Sequence, residues 1–292
     1  MLENSKRTQN TQGESTMASQ DAVAFLGPLG TYSHLVAKKR FASARMIPLP
    51  CILDVCNFVA RSKNAFGVIP IENSSGGTIN ETVDILLDNT PPVHIIEELA
   101  LDVKLALLGH KGFQPKRLYS HFVPLAHCAP WIARHLKGIE KHEVPSTSAA
   151  AALAAEDLHT ASLGSRNLAG QYGLDILHFP VATETPNITS FIVISARPQR
   201  LARCAKTTLA IRLENRPGSL YQFLGILHAE GINLSRLVSR PIRGIRQEYA
   251  FLVDLDGDAQ SAKVKRALRS AARQSVSMRI CGCYPCHKAY QS

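Results

Sequence analysis

The sequence lacks the features that mark several large classes of protein. No apolar run in the 292-residue chain reaches the length of about 18 residues that a membrane-spanning helix needs. The chain also lacks a glycine-rich phosphate loop, a dinucleotide-binding fingerprint, a G-x-S-x-G nucleophile elbow and an H-E-x-x-H zinc motif. These absences argue against a membrane protein, a phosphate-transfer enzyme, a redox-cofactor enzyme and a serine hydrolase.

Acidic residues are scarce in the C-terminal third. Residues 1–195 carry 16 Lys and Arg against 17 Asp and Glu, whereas residues 196–292 carry 17 against 6. The net charge of +10 therefore belongs to the C-terminal third alone. A basic domain could follow phosphates, but no aromatic platform, zinc finger or recognition helix accompanies these charges. We expect a solvated basic face and no nucleic-acid partner.

The first 20 residues lack the apolar core of a secretory signal peptide. They are rich in Ser, Thr, Gln and Asn, and we predict a disordered tail on a cytoplasmic protein. Seven cysteines, an odd number, predict reduced thiols in that compartment.

One cysteine cluster resembles a metal site. Cys281, Cys283 and Cys286 form, with His287, the pattern C-x-C-x2-C-H. Zinc usually takes two separated ligand pairs, whereas Cys281 and Cys283 alternate on a predicted strand over residues 278–283. We expect these two thiols to share one face of the strand, and we predict no metal.

The length and composition of the sequence are typical of a packed globular chain of about two domains. Hydrophobic residues make up 45% and charged residues 19% of the sequence, which is ordinary for a globular protein. Over residues 21–200, buried strands, hydroxyl-rich turns and helices alternate, including one helix over 125–136. This α/β pattern occurs as two half-sets and predicts two lobes with a cleft between them. A charged linker at 197–203 leads into residues 201–292, whose β-α-β-β-α-β order is ferredoxin-like.

Hydroxyl and amide side chains collect where predicted strands end. They are Thr31, Ser33, Asn73, Ser74, Ser146, Thr147, Ser148, Asn187 and Thr189. Each alone is explained as a cap or turn residue, but ligands of α/β proteins bind where strand ends converge. Together these residues predict a polar, weakly charged pocket whose N–H and O–H donors suit a small oxygen-rich anion.

Several segments resemble motifs of the prephenate dehydratase family. They are Gly27–Ser33 (GPLGTYS), Val68–Ser74 (VIPIENS) with Gly77, Ser146–Ala149 (STSA), Tyr172–Leu174 (YGL) and Asn187–Phe191 (NITSF). The C-terminal part resembles a phenylalanine-sensing ACT domain in Arg216–Tyr221 (RPGSLY), Gly231–Leu234 (GINL) and Ser239–Pro241 (SRP). The likeness runs almost continuously from residue 23 to residue 285, and the order and spacing of its motifs are specific.

The resemblance implies two periplasmic-binding-protein-like lobes with prephenate in the cleft, followed by an ACT domain. It implies loss of CO2 and water from prephenate to give phenylpyruvate in phenylalanine biosynthesis, without a metal or an organic cofactor. By position, Thr189 would be the acid that helps the ring hydroxyl leave. The implied substrate contacts are Thr31, Ser33, Asn73, Ser74, Gly77, Ser146, Thr147, Ser148 and Asn187.

The same resemblance implies feedback by phenylalanine, bound where ACT domains join copies into a homodimer or homotetramer. The implied phenylalanine contacts are Pro217, Gly218, Ser219, Leu220, Asn233, Leu234, Ser239 and Arg240. Val238 departs from the family at this site, because the family has glutamate there.

Two further departures fall in the predicted cleft. Ser190 and His127 stand where the family has arginine and glutamine. An arginine would offer a forked cation to a substrate carboxylate, and its loss would cost about 1.5–3 kcal/mol. Arg166 would replace that cation if it faces the cleft; as a solvated residue at a helix start it would not.

These departures leave two alternatives to the dehydratase. The related prephenate decarboxylases remove CO2, keep the hydroxyl and protonate the ring, and loss of the arginine could permit this by shifting the substrate. The second alternative is an inactive amino-acid sensor whose lobes only bind. Retention of Thr189 and a well-formed ACT pattern favour the dehydratase.

Overall fold

The computed structural model describes residues 22–182, 184–199 and 204–292. The predicted tail and residues 200–203 of the predicted linker lie outside the described residues. The strands are β1 (Ala22–Leu26), β2 (Arg45–Leu49), β3 (Ala65–Asn73), β4 (Gly77–Thr78), β5 (His94–Asp102), β6 (Leu105–Gly109), β7 (Arg117–Ser120), β8 (Glu140–Glu143), β9 (Thr160–Gly164), β10 (Asp175–Val181), β11 (Ile188–Ser195), β12 (Lys206–Arg212), β13 (Leu234–Pro241), β14 (Tyr249–Asp256), β15 (Ser277–Tyr284) and β16 (Tyr290–Gln291). The helices are α1 (Tyr32–Arg40), α2 (Ile52–Ala60), α3 (Asn80–Asp88), α4 (Phe122–His127), α5 (Ala129–His135), α6 (Thr147–Ala155), α7 (Asn167–Tyr172), α8 (Ser219–Ala229) and α9 (Ala262–Arg273).

Two lobes form the N-terminal part of the fold. In the first lobe, the strand order is β5-β11-β3-β1-β2, and in the second it is β10-β6-β9-β7-β8. The chain crosses from the first lobe to the second between β5 and β6, and it returns between β10 and β11. The predicted two-lobed α/β architecture is therefore confirmed, and the two crossings define a cleft between the lobes.

The C-terminal domain (residues 204–292) has the strand order β13-β14-β12-β15. Helices α8 and α9 cover one face of this sheet, where Phe223, Leu227 and Leu268 pack against Leu209 and Val253. The predicted β-α-β-β-α-β arrangement is confirmed. None of the helices in the described part of the chain is long and apolar enough to cross a membrane.

The C-terminal sheet continues the sheet of the first lobe. Gly282 of β15 lies beside Ile95 of β5, and a Cβ atom at Gly282 would lie 2.1 Å from the carbonyl oxygen of Ile95. Only glycine permits this close approach of the two backbones. Behind the junction, Ile192 and Ile194 of the first lobe share one buried cluster with Leu252 and Tyr284.

The structure corrects three details of the predicted elements. The helix expected over 125–136 is two short helices that meet at Cys128, because Pro130 at the start of α5 has no N–H to continue the first helix. Strand β2 with helix α2, and strand β10, were not predicted. Pro48 in β2 and Pro180 in β10 obscure the strand pattern, and both strands lie at an edge of their sheet, where proline is tolerated.

The third correction concerns the cysteine cluster. Cys281 and Cys283 do not share a face: Cys281 is fully buried in the cluster against the first lobe, whereas Cys283 packs on the side of α8 and α9. The pairing of β12 with β15 shifts register between Thr208 and Leu209, and this bulge at Cys281 breaks the alternation of side chains. The expectation of one shared face was wrong for that reason.

Candidate active site

A cavity of about 400 Å3 lies between the two lobes. Its polar wall is formed by Thr31, Ser33, Asn73, His121, Ser146, Thr147, Asn187 and Thr189. Its apolar wall includes Leu26, Val103, Leu105, Val123 and Phe191. The cavity therefore brings together seven of the residues that the strand-end pattern predicted as ligands.

Two helix N-termini face this cavity, one from each lobe. Thr31 caps α1, where its hydroxyl accepts a hydrogen bond from the N–H of His34 at 3.3 Å. Ser146 caps α6 in the same way, with the N–H of Ala149 at 3.0 Å. The remaining N–H groups of a first helical turn carry partial positive charge and attract anions. The cleft can hold negative groups from both sides without a formal cation.

Asn73 organises the centre of the site. Its side-chain oxygen accepts the N–H groups of Ser75 at 2.9 Å and Gly76 at 2.6 Å. Its side-chain nitrogen donates to Asn187 Oδ1 and to Thr189 Oγ1, both at 2.9 Å. The oxygen thus accepts two hydrogen bonds and the nitrogen donates two, so the orientation of the amide is determined.

Thr189 is buried on β11 and lies opposite Asn73 of β3. Because its oxygen accepts the Asn73 hydrogen bond, its own O–H proton is available for a molecule in the cavity. A hydroxyl that is oriented and has a free proton can donate to a leaving oxygen.

Ionisable groups are rare in the cavity wall. No lysine or arginine lines it among the described residues, but His121 and Tyr32 do. Burial lowers the pKa of His121 below its ordinary value of 6.5, and the nearby carboxylate of Glu143 partly opposes this shift. Burial raises the pKa of the Tyr32 phenol, and the Cys128 thiol adds to the effect. Both groups are therefore neutral near pH 7.

His121 was missed by sequence reasoning. Its Nδ1 accepts the N–H of Val123 at 3.4 Å, which leaves the proton of the neutral ring on Nε2. The signal that could have found it is its position directly after β7, where strand-end residues reach the cleft. Tyr32 was likewise passed over, although it lies between Thr31 and Ser33.

Four predicted ligands lie behind or beside the cavity wall. Ser74 donates to the carbonyl oxygen of Pro186 at 3.1 Å and accepts the N–H of Ile188 at 2.9 Å. It therefore holds the segment between β10 and β11, by which the chain returns to the first lobe. Ser148 is fully buried and bonds the Tyr172 hydroxyl at 2.8 Å. Gly77, with φ of +76°, forms the turn into β4. The Arg166 guanidinium lies 5.2 Å from the centre of the Phe179 ring.

The placement of Ser190 corrects an inference from the sequence. Asn187, Thr189 and Phe191 line the cavity, so residue 190 projects from the opposite face of β11. The packing of Ile192 and Ile194 against the C-terminal domain marks that face. An arginine at position 190 would therefore not meet a carboxylate in the cleft, and the cost assigned to its loss there does not apply.

A hydrogen bond joins the lobes beside the cavity. Ser75, in the turn after β3, bonds His127 Nδ1 of α4 at 2.9 Å. Residue 127, the second departure in the cleft, thus contributes a contact between the lobes.

The predicted phenylalanine contacts are not brought together within one chain. Gly218 and Leu220 lie at the start of α8, whereas Asn233 follows its end and donates to Asp256 at 2.6 Å. The 11 residues of α8 separate these groups by about 16 Å. Arg240 instead forms an ion pair with Asp84 of α3, at 2.6 Å.

A possible metal-ligand group lies outside the cavity wall. Within the described ranges, Cys204, Asp258 and Cys283 place one ligand atom each within 4.8 Å of one another. This group shares only Cys283 with the predicted cluster, because the bulge turns Cys281 to the other face.

A two-lobed cleft lined by neutral donors, with a βαββαβ domain docked on one lobe, defines a ligand-binding enzyme with an appended regulatory module. Residues 23–199 match the family described as prephenate dehydratase, and residues 207–273 match the ACT domain. The chain belongs to the prephenate dehydratase family, a family of lyases, and carries an ACT domain.

One relative and one solved structure bear the family's name, and a second solved structure with a different description has a similar fold. The bifunctional chorismate mutase/prephenate dehydratase of Aquifex aeolicus is 32% identical over 266 residues, which cover 90% of this chain and 73% of that protein. The structure of prephenate dehydratase in complex with L-Phe from Arthrobacter aurescens has a TM-score of 0.83 and 29% identity, covering 90% of this chain and 89% of that one. A structure described as GqqA, a novel type of quorum quenching acylase, has a TM-score of 0.79 and 28% identity, covering 91% and 98%.

Proposed function

We propose that this protein is a prephenate dehydratase that converts prephenate to phenylpyruvate, CO2 and water. The observation that carries the proposal is the hydrogen bond from Asn73 to Thr189, which leaves the Thr189 proton free inside a cleft of anion-binding donors. Prephenate carries two carboxylates, and the starts of α1 and α6 offer one donor group in each lobe.

The reaction needs little chemistry beyond the departure of the ring hydroxyl. The bond between the ring and its carboxylate breaks, CO2 leaves, and the bonding electrons enter the ring. The ring C–O bond breaks at the same time, and the oxygen takes the proton of Thr189 and leaves as water. Solvent returns one proton to Thr189, so one proton is consumed for each turnover. The aromatic ring provides the driving force, and the protein supplies orientation and a proton donor.

Among the alternatives, the dehydratase is supported by the position of residue 190. The decarboxylase hypothesis depended on a carboxylate partner lost from the cleft, and Ser190 projects away from the cleft.

Product identification tests the proposal. Purified protein is incubated with prephenate at neutral pH, against a blank without enzyme, and the product is identified by ultraviolet spectrum and mass. Phenylpyruvate supports the dehydratase; a non-aromatic product that has lost only CO2 supports the decarboxylase; no turnover supports the sensor.

Feedback by phenylalanine is the second part of the proposal. The separation of Gly218 and Asn233 along α8 supports a site formed between two copies of the chain, where the start of one α8 can meet the Asn233 region of the other. Calorimetry with phenylalanine, combined with measurement of the oligomeric state with and without it, tests this part. Absence of binding, or binding to a monomer, would refute it. The cytoplasm stays the predicted compartment.

A further inference from the structure

An arginine of the C-terminal domain reaches the strand that carries Asn73. Arg236 of β13 has its Nη2 atom 2.9 Å and its Nε atom 3.0 Å from Oε2 of Glu72. Only 6% of the Arg236 side chain is exposed, whereas 44% of the Glu72 side chain is, so solvent screens this ion pair from the Glu72 side. Glu72 directly precedes Asn73, and the two residues face opposite sides of β3.

A second buried acid holds Arg236 from behind. The Nη1 atom of Arg236 bonds Oδ2 of the fully buried Asp254. Asp254 also accepts a hydrogen bond of 2.7 Å from Thr208. Burial lowers the pKa of Arg236, but the carboxylates of Asp254, Glu98 and Glu72 outweigh it and the pKa is raised. The guanidinium is therefore a charged group held in place between the two domains.

The register of the strands places this ion pair directly behind the active-site hydrogen bond. Thr189 lies opposite Asn73, and the next pair along the same two strands is Ser190 opposite Glu72. The β3–β11 pairing shifts register between Ser190 and Phe191 and resumes with Phe191 opposite Pro70, so Ser190–Glu72 is the last pair before an irregularity. An anchor on Glu72 restricts the backbone of β3 at the residue before Asn73.

We propose that Arg236 is a positioning residue for the reaction, acting through Glu72 to hold Asn73 against Thr189. The C-terminal domain thus supplies the cation that the strand pair lacks, because Ser190, opposite Glu72, brings no charge. This inference rests on the proposed function for its kinetic test, and it also predicts a property of the protein without substrate. A misplacement of about 1 Å at a reacting group can reduce the rate about 100-fold.

The kinetic test compares three variants with the unmodified protein. Arg236→Gln removes the cation, and we expect kcat for prephenate to fall about tenfold to 100-fold with KM changed less. Arg236→Gln combined with Ser190→Arg places a new guanidinium opposite Glu72 from within the first lobe, and we expect kcat to recover by at least half of the logarithmic loss. Asp84→Asn is the matched control, since it removes a different ion pair between the domains, the one between Arg240 and Asp84 of α3.

Hydrogen exchange provides a readout that does not need turnover. In Arg236→Gln, amides in residues 72–76 and 187–191 should exchange faster than in the unmodified protein, and Ser190→Arg should slow them again. Lack of prephenate turnover in the unmodified protein would refute the proposed function but would leave the exchange test intact. Unchanged exchange in these segments of Arg236→Gln would overturn the positioning role of Arg236, whether or not the protein converts prephenate. An equal loss of kcat in Asp84→Asn, or no rescue by Ser190→Arg in a folded protein, would also overturn it.

Loss of Arg236 leaves Asp254 buried without its main partner, so the variant could fail to fold. Glu72→Gln then replaces it, because the Arg236–Asp254 pair remains intact. We expect the same loss of kcat and the same faster exchange in Glu72→Gln. A cooperative thermal transition would verify that this variant is folded. Full activity and native exchange in this folded variant would overturn the proposal.

Discussion

The side-chain amide of Asn73 donates a hydrogen bond of 2.9 Å to the hydroxyl oxygen of Thr189, and two backbone N–H groups hold the other end of that amide. This arrangement leaves the proton of the Thr189 hydroxyl available to a molecule in the cavity. Replacement of Asn73 by Asp tests the direction of the bond with almost no change in shape. A carboxylate accepts the Thr189 proton instead of donating to its oxygen, so we expect kcat to fall by about two orders of magnitude. Steady-state kinetics with prephenate measure it, and a kcat within threefold of the unmodified value would contradict the assignment.

Thr189 itself is tested by a pair of substitutions. Thr189→Ala removes the proton donor, and we expect kcat to fall by about 10²- to 10⁴-fold with little change in KM. Thr189→Ser keeps the hydroxyl and should retain activity within about tenfold, the loss reflecting the freer rotation of serine. If Thr189→Ala turned over prephenate as fast as Thr189→Ser, the hydroxyl would have no role in the reaction.

The bond between Ser75 and His127 joins the lobes at 2.9 Å and is exposed. We expect His127→Ala to raise KM about two- to tenfold, because an exposed hydrogen bond contributes about 0.5–1.5 kcal/mol to the closed cleft. His127→Gln, the residue of the family, keeps a polar group of similar reach and should change KM less than twofold. Equal effects of the two substitutions would show that the hydrogen bond is not what matters at position 127.

The pH dependence of KM follows from His121. Burial holds the pKa of His121 below its ordinary 6.5, so the ring is neutral at pH 7. The ring gains a proton as the pH falls through that lowered pKa. The new positive charge enters a cavity wall without lysine or arginine among its described residues, and it attracts a dianionic substrate. We expect KM to decrease as the pH falls below about 6.5, measured against blanks without enzyme. In His121→Asn this decrease should disappear; a KM that rises with falling pH in the unmodified protein would contradict the prediction.

The junction of the two sheets depends on Gly282. Gly282→Ala would bring a Cβ atom to 2.1 Å from the carbonyl oxygen of Ile95, which the two backbones can avoid only by moving apart. We expect a loss of about 1–3 kcal/mol in the free energy of unfolding, as for other overpacked sites. Urea unfolding measures it, with Gly225→Ala as the control, since a Cβ atom there meets no other group within 4 Å. Equal stability of the two variants would show that the junction adapts.

Much of the active site was predictable because its signals are local. The caps Thr31 and Ser146 act within four residues of their own positions, and a hydroxyl before a helix can be recognised in any sequence. The strand containing Thr189 alternates regularly, so the cavity-facing residues of that strand can be derived once one of them is known. His121 gave the same strand-end signal and could have been predicted by the same rule.

Other features could not be predicted because they depend on partners distant in the chain. Arg236 and Glu72 are 164 positions apart, and nothing near either residue indicates the other. The side of β15 on which Cys281 lies depends on a bulge in its pairing with β12, which the spacing of the cysteines does not reveal. The expected role of residue 190 in the cleft was wrong for a related reason: its motif suggested a ligand, and only the placement of β11 shows which face is the cleft.

By itself, the sequence determined the two-lobed α/β architecture, the βαββαβ domain, the family and most of the donors that line the cavity. These follow from hydrophobic periodicity, caps and motif order, which act over short distances along the chain. The tertiary structure decided which of the predicted residues face the cleft, how the lobes are joined, and that the C-terminal domain extends the first lobe's sheet and anchors Glu72. Those features arise from strand register and from the pairing of buried charges, where a shift of one residue turns every side chain to the opposite face.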